Sequence, residues 1–508
     1  VRLIGVGVGP GDPELVTVKG VRVLREADVV VVPVMDADEQ GRAEATVRAH
    51  TDREPLRLVF ALDDRGGPTA ERLSAWEAAA DQVAQLLSTG TQSVAFATIG
   101  DPNVYSTFTY LADAVRERLP QVIVETVPGI TAMQDLAARS GTVLCEGTES
   151  LALLPLTAGV PAFEEALTHF DTVVAYKGGR RMPQVLEVLA RRGVRRRARP
   201  AQRAGRAGRR AVRRDAVPVD RDRAGGGAYG ERIEAVSGHV SFVGAGPGAA
   251  DLLTLRAAAR IAEADIVIWA ASLVHEDVLQ HAREGAEVVN SAEHSVEGIT
   301  HLYERAARDG LRVARIHSGD PALWGATQEQ HELCTRLGLT TEVVPGVSSF
   351  TAVAAIVQRE LTIPEVAQSV VLTRLEGGKT PMPSRESVRA FAEHGTTMAL
   401  FLSAARTKQL QDELLAAGTY DDDTPCVVAY AATWPDELVF ECRLGELAAK
   451  VREHKLYKHT MVLVGPALAA GGTRSHLYHP GHFHEHRKVE SAAARTELRA
   501  RDRALEGA

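Results

Sequence analysis

Short runs of β-branched and other apolar residues alternate along the chain with longer stretches rich in Ala, Leu, Arg and Glu. Val1-Arg2-Leu3-Ile4-Gly5-Val6 reads as a first strand, and Ala27-Asp28-Val29-Val30-Val31-Val32 leads into a second. Ala70 to Leu87 and Ile299 to Asp309 have helical composition. This alternation predicts α/β units around largely parallel sheets.

The pattern occurs twice. Ile4-Gly5-Val6-Gly7-Val8-Gly9-Pro10-Gly11-Asp12-Pro13-Glu14-Leu15 returns as Phe242-Val243-Gly244-Ala245-Gly246-Pro247-Gly248-Ala249-Ala250-Asp251-Leu252. Thr98-Ile99-Gly100-Asp101-Pro102 answers to His317-Ser318-Gly319-Asp320-Pro321, and Val127-Pro128-Gly129-Ile130-Thr131-Ala132 to Val344-Pro345-Gly346-Val347-Ser348-Ser349. One glycine loop can match by chance, but three motifs in the same order at similar spacing indicate a tandem duplication. Each copy is long enough to split into two subdomains around a cleft. The expected boundaries are residues 1–193 for the first module and 238–468 for the second.

Between them, residues 194–237 are dominated by Arg, Ala and Gly and keep little apolar periodicity. This stretch reads as a poorly ordered linker standing where the second copy has strands, so the first copy is expected to lack its last strands. Residues 469–508 form a polar tail with His476, His479, His482, His484 and His486. No fixed ligand spacing is evident there, and no metal site is expected.

Composition narrows the function. A net charge of -8 and only 5% aromatic residues argue against nucleic acid or an anionic membrane as the main partner. Four cysteines without a C-x-x-C pair fit a reduced, cytoplasmic protein, and no apolar run reaches the length of a bilayer span. An acidic substrate would need a local basic patch against this global field.

Three uses of a glycine loop compete. Neither copy ends in the Gly-Lys-Ser/Thr of a phosphate-binding loop. A dinucleotide loop fails in the first copy, where Asp12 takes the last position; Gly244, Gly246 and Ala249 match it formally, which leaves a nicotinamide oxidoreductase open. Asp101 and Asp320 fall at strand ends, where open α/β sheets bind ligands, and can either contact a ligand or cap the next helix. Thr131, Ser348 and Ser349 sit at helix starts with the same two roles open.

Together these motifs resemble the tetrapyrrole methylase family over about Val1 to Gly193 and Val240 to Leu468. The second half adds Glu360-Leu361-Thr362-Ile363-Pro364, Val371-Leu372-Thr373-Arg374, Ala399-Leu400-Phe401-Leu402-Ser403-Ala404 and Tyr430-Ala431-Ala432-Thr433-Trp434-Pro435-Asp436-Glu437. It is similar to precorrin-4 C11-methyltransferases. The first half, with Gly100-Asp101-Pro102-Asn103-Val104-Tyr105 and Val173-Val174-Ala175-Tyr176-Lys177, is similar to precorrin-2 C20-methyltransferases. The resemblance implies paired α/β subdomains, a homodimer, tetrapyrrole substrates, and S-adenosylmethionine as cofactor in the cleft. Carried over by motif, the cofactor contacts are Pro10, Gly100, Asp101, Val104, Thr131, Ala132 and Lys177 in the first half. In the second they are Pro247, Ser318, Gly319, Asp320, Leu323, Ser348, Ser349, Leu402 and Ala431. Ala431 has no counterpart in the first half, because the Arg-rich stretch lies where one should be. A first half that binds cofactor without turnover therefore stays open. Precorrins are rich in carboxylates, which arginine reads bidentately, so Arg374 and Arg406, and Arg180 and Arg181, are the substrate candidates. No base stands out; Asp101 and Asp320 are candidates, with cofactor binding the favoured role.

Overall fold

The structure, a computed structural model, describes residues 1–60, 70–156, 159–193, 195–196, 211–213, 215–216, 238–363, 366–376 and 386–469. The first strands are β1 (Arg2–Gly7), β2 (Val29–Val34), β3 (Leu56–Val59), β4 (Ser93–Thr98) and β5 (Ile123–Val127). They form a five-stranded sheet in the order β3-β2-β4-β1-β5, parallel throughout. Helices cover both faces, which is why β2 and β4 are nearly continuous apolar runs. The expected helix from Ala70 spans Ala70–Ser88.

Two more strands follow, β6 (Leu151–Pro155) and β7 (Thr172–Tyr176), and then the short β8 (Arg195–Arg196), β9 (Ala211–Arg213) and β10 (Asp215–Ala216). The second copy begins with β11 (His239–Gly244), β12 (Ile266–Trp269), β13 (Glu287–Asn290), β14 (Arg312–His317) and β15 (Thr340–Val344). Their order, β13-β12-β14-β11-β15, repeats that of the first sheet, again parallel. The chain closes its described part with β16 (Val370–Arg374), β17 (Thr397–Phe401), β18 (Pro425–Tyr430), β19 (Leu438–Arg443) and β20 (Thr460–Val464).

The halves share the third large sheet. Its eight strands run β19-β18-β20-β17-β16-β6-β7-β9, and the join is antiparallel, with Leu153 opposite Val370, Ala152 opposite Val371 and Leu151 opposite Leu372. Because β6 and β16 are equivalent strands, this pairing defines a local twofold axis. A second meeting of equivalent residues supports it. Thr17 and Thr254 each cap a helix with the side-chain oxygen, at 3.0 Å from the amides of Gly20 and Ala257. They also face one another: Val18 N donates to Leu253 O (2.9 Å) and Leu255 N to Val16 O (3.0 Å). The two halves of one chain are thus paired through equivalent elements about this axis.

Within residues 194–237, expected as a poorly ordered linker, three short strands are described. β9 pairs antiparallel with β7, Val212 opposite Val173, and β8 pairs with β10. An open strand edge presents unpaired N–H and C=O groups that a short segment can bond through its backbone, so apolar periodicity is not required. The rest of this stretch and residues 470–508, with the histidines, lie outside the described residues, as does Pro364. Beyond β9 the first copy has no described counterpart of the outer strands β18 and β19. No helix among the described residues is long and apolar enough to cross a membrane.

One buried cluster draws on both halves, joining Met133, Leu144, Leu151 and Leu153 to Phe350, Leu361, Leu372 and Leu463. Replacing the fully buried Leu372 with Ala should cost roughly 2–5 kcal/mol in urea unfolding. The halves should still unfold in one transition; separate transitions would show that the seam does not hold them together.

Candidate functional site

In each half, three loops leave the sheet at its C-terminal edge and pack backbone against backbone. A Cβ on Gly7 would come within 2.7 Å of both Gly100 O and Gly129 N, and one on Gly244 within 2.7 Å of Gly319 O. Only glycine fits at these contacts. Gly9 and Gly100 exchange hydrogen bonds (3.3 and 2.7 Å), as do Gly246 and Gly319 (3.2 and 2.8 Å). Asp101 ties the arrangement together: one carboxylate oxygen accepts from Asn103 N (2.8 Å), the other from Gly129 N (3.0 Å). Asp320 accepts equivalently from Ala322 N (2.8 Å) and Gly346 N (3.1 Å), and also from the Gln134 side chain of the first half (3.1 Å).

Both aspartates are buried, and burial pushes their carboxyls up to about 7 against these amide donors. Their hydrogen bonds hold loops together, which is a supporting task beside any ligand contact.

The other predicted cofactor residues gather around the junctions. Ser318 is exposed and Gly319 buried on the loop after β14, while Val104 and Leu323 lie buried just beyond the Asp-Pro turns. Thr131 and Ser348 are buried at the starts of helices Ala132–Ser140 and Ser349–Ile356, with Ala132 and Ser349 partly exposed as first residues. Lys177 and Leu402, at the ends of the equivalent strands β7 and β17, both take left-handed φ values, 55° and 51°. Non-glycine residues seldom adopt this conformation, and it recurs at ligand sites. Leu402 is 73% exposed, unusual for a leucine without a partner.

The halves differ over the first glycine loop. In the second, Ala431 (φ 45°) and Thr433 (φ 68°) bring the loop after β18 down on it. Trp434 Nε1 donates to Pro247 O (2.8 Å), and Ala249 N donates to Thr433 Oγ1 (2.9 Å). A Cβ on Gly248 would lie 2.6 Å from Trp434 Nε1, whereas one on the equivalent Gly11 beside Pro10 would meet nothing within 4 Å. Trp434 was legible only as part of a motif; its packing needs the fold.

Of the substrate arginines, Arg374 donates to Gly147 O of the first half (2.6 Å), and burial together with the nearby Arg406 charge lowers its pKa. Arg406 bonds Gln409 (3.3 Å). These two form a local concentration of positive charge. Arg181, four residues past Lys177 as Arg406 is past Leu402, lies near Gly159 of the first half, and the Arg180 side chain is outside what is described.

A family model for tetrapyrrole (corrin/porphyrin) methylases matches residues 2–217 and 239–448. The chain belongs to this family. Among relatives of this methylase, a cobalt-precorrin-4 C(11)-methyltransferase of Methanocaldococcus jannaschii is 40% identical over 250 residues, 49% of this chain and 96% of its own. A cobalamin biosynthesis protein CobIJ of Mycobacterium bovis is 32% identical over 366 residues, 70% of each chain. A solved cobalt precorrin-4 methyltransferase shows 40% identity, covering 46% of this chain and 96% of its own, with a TM-score of 0.44.

The methylase has one more buried acid in this region, which opens the Glu-Leu-Thr-Ile-Pro motif of the second half without being among the candidate site residues. Glu360, from the second half, lines a cavity of about 70 Å³ with Tyr105, Ser106, Tyr110, Lys177 and Gln368. The aligned residue in the first half is Val143. Burial pushes the Glu360 carboxyl up to about 8, against the Lys177 charge and hydrogen bonds from Thr109 and Thr362. The folded protein therefore holds this proton more tightly than the unfolded chain. The associated stability is full below the ordinary carboxylate range and is lost as pH rises through about 8. Asp101 and Asp320 act in the same direction toward about 7. The melting temperature of Glu360→Gln should fall less than that of the parent between pH 5 and 8.5; parallel curves would contradict the assignment.

Proposed function

We propose that this tetrapyrrole methylase uses S-adenosylmethionine to methylate ring carbons of precorrins. The second half acts at C11 of precorrin-4 and the first at C20 of precorrin-2. The observation that carries this reading is the duplicated three-loop junction at the C-terminal edge of each parallel sheet, where such folds take their ligands. Lys177 is exposed beside the first junction, and Ser318 and Leu402 are exposed beside the second.

S-adenosylmethionine supplies an already activated methyl group, so the protein's task is alignment and exclusion of water. In the second half, Trp434 and Thr433 fix the Pro247–Ala249 turn, which would hold one end of the cofactor. Arg374 and Arg406 would bind peripheral carboxylates of the substrate and set the face of the ring presented. The same set supports C11 chemistry through the likeness to enzymes named for it. A second reading is favoured by the uncovered Gly11: the first half binds cofactor but turns over slowly or not at all.

Calorimetry with S-adenosylhomocysteine on the whole chain should give two sites, and mass spectrometry should detect one added methyl on precorrin-2 and on precorrin-4. Two sites with methylation of precorrin-4 alone would select the second reading, and no binding would sink both. Arg374→Ala should raise the KM for precorrin-4 about tenfold with little change in kcat, as expected when a uniform binding contact is lost. Unchanged KM would remove Arg374 from the substrate site.

A further inference from the structure

Gln134 hydrogen-bonds candidate cofactor residues of both halves. It lies in helix Ala132–Ser140 of the first half and is fully buried. Its oxygen accepts from Thr131 N and from Thr131 Oγ1, both at 2.9 Å. Its nitrogen donates to Asp320 Oδ2 at 3.1 Å and to Gly346 O at 2.6 Å, both in the second half. These partners fix the amide orientation. A flipped amide would set its oxygen against a carboxylate and a carbonyl, and its nitrogen against a backbone N–H.

The twofold arrangement makes the asymmetry informative. The residue equivalent to Gln134 is Thr351, whose hydroxyl donates back to Ser348 O at 2.9 Å. Among the described residues Asp101 accordingly has its two backbone donors, whereas Asp320 has a third from across the seam. A buried amide with every hydrogen-bonding group used is costly to misplace, and its removal leaves a buried carboxylate short of a donor.

We propose that Gln134 is a positioning residue for the adenosyl-sulfonium cleft of the second half, holding Asp320 and the Gly346 loop from the first half. Because its own orientation is set by Thr131, it joins the two clefts through a single side chain. This rests on the reading that both clefts take the adenosyl cofactor. Functionally, the second methyl transfer depends on an intact first half even if that half is slow or inactive. A first half retained for this purpose has a use independent of its own turnover.

The groups acting on the Asp320 carboxyl are its own burial and the amides of Ala322, Gly346 and Gln134; no charged side chain is among them. Loss of the Gln134 donor therefore raises the carboxyl's pKa further, and the pH midpoint of binding at the second cleft moves up with it. A role in folding alone would weaken binding equally at every pH.

The test uses the whole chain labelled with 5-fluorotryptophan. The Trp434 resonance, assigned with Trp434→Phe, reports the second cleft because this indole covers its glycine loop. S-adenosylhomocysteine is titrated from pH 6 to 9. Gln134→Glu keeps an acceptor for Thr131 and replaces the donor to Asp320. It should weaken binding at Trp434 about tenfold or more at pH 7 and raise the pH midpoint. Parent-like affinity and midpoint would overturn the proposal. If Gln134→Glu loses its native resonance dispersion, Gln134→Met takes its place, with the same two outcomes. A parent chain whose Trp434 resonance and binding heats ignore S-adenosylhomocysteine would overturn the cofactor reading itself, and this proposal with it.

Discussion

The fold turns on the approach of three backbone loops at the C-terminal edge of each parallel sheet. At Gly7, Gly100 and Gly129, and again at Gly244, Gly319 and Gly346, the chain packs without side chains between its strands of backbone. Such contacts leave amide groups that water cannot reach, and the buried aspartates supply the acceptors for them. Everything else in the cleft is referenced to this knot. The Asp-Pro turns set Val104 and Leu323, the Pro-Gly turns set the helices at Thr131 and Ser348, and the glycine loop sets Pro10 and Pro247.

Against this common frame the two halves have diverged where they meet. Glu360 faces the first cleft where the symmetry-related position has Val143, and Gln134 reaches Asp320 where Thr351 reaches only its own helix. Trp434 and Thr433 cover the second glycine loop, and no described residue covers the first. In an assembly of two identical chains, both seams would carry the same residues. Fusion of two copies allows each position to be set independently, so one cleft can be braced by the other without the reverse.

The duplicated sheets and the positions of Asp101 and Asp320 were legible because close backbone approach demands Gly, Asp and Pro at fixed spacing. These residues leave marks that survive divergence. The shared sheet was not legible. Leu151–Pro155 and Val370–Arg374 are ordinary apolar runs, and nothing in either says that its edge partner is the other. Gln134 escaped notice for a related reason: in sequence it is a polar residue on a helix, and only the twofold brings Asp320 to it. The pairing of Ala211–Arg213 with β7 left no mark in the sequence either, because it runs through backbone atoms, which composition does not record.

The continuous sheet has a consequence for how the protein is made. During synthesis the first half emerges with one edge of β6 bare, and the strand that covers it, β16, follows only after the whole second parallel sheet has been translated. An apolar, unpaired edge is a template for pairing with other nascent chains. Neighbouring ribosomes on one message would hold several such edges close together for that interval. The time taken to translate residues 238–369 therefore sets how long that edge stays uncovered.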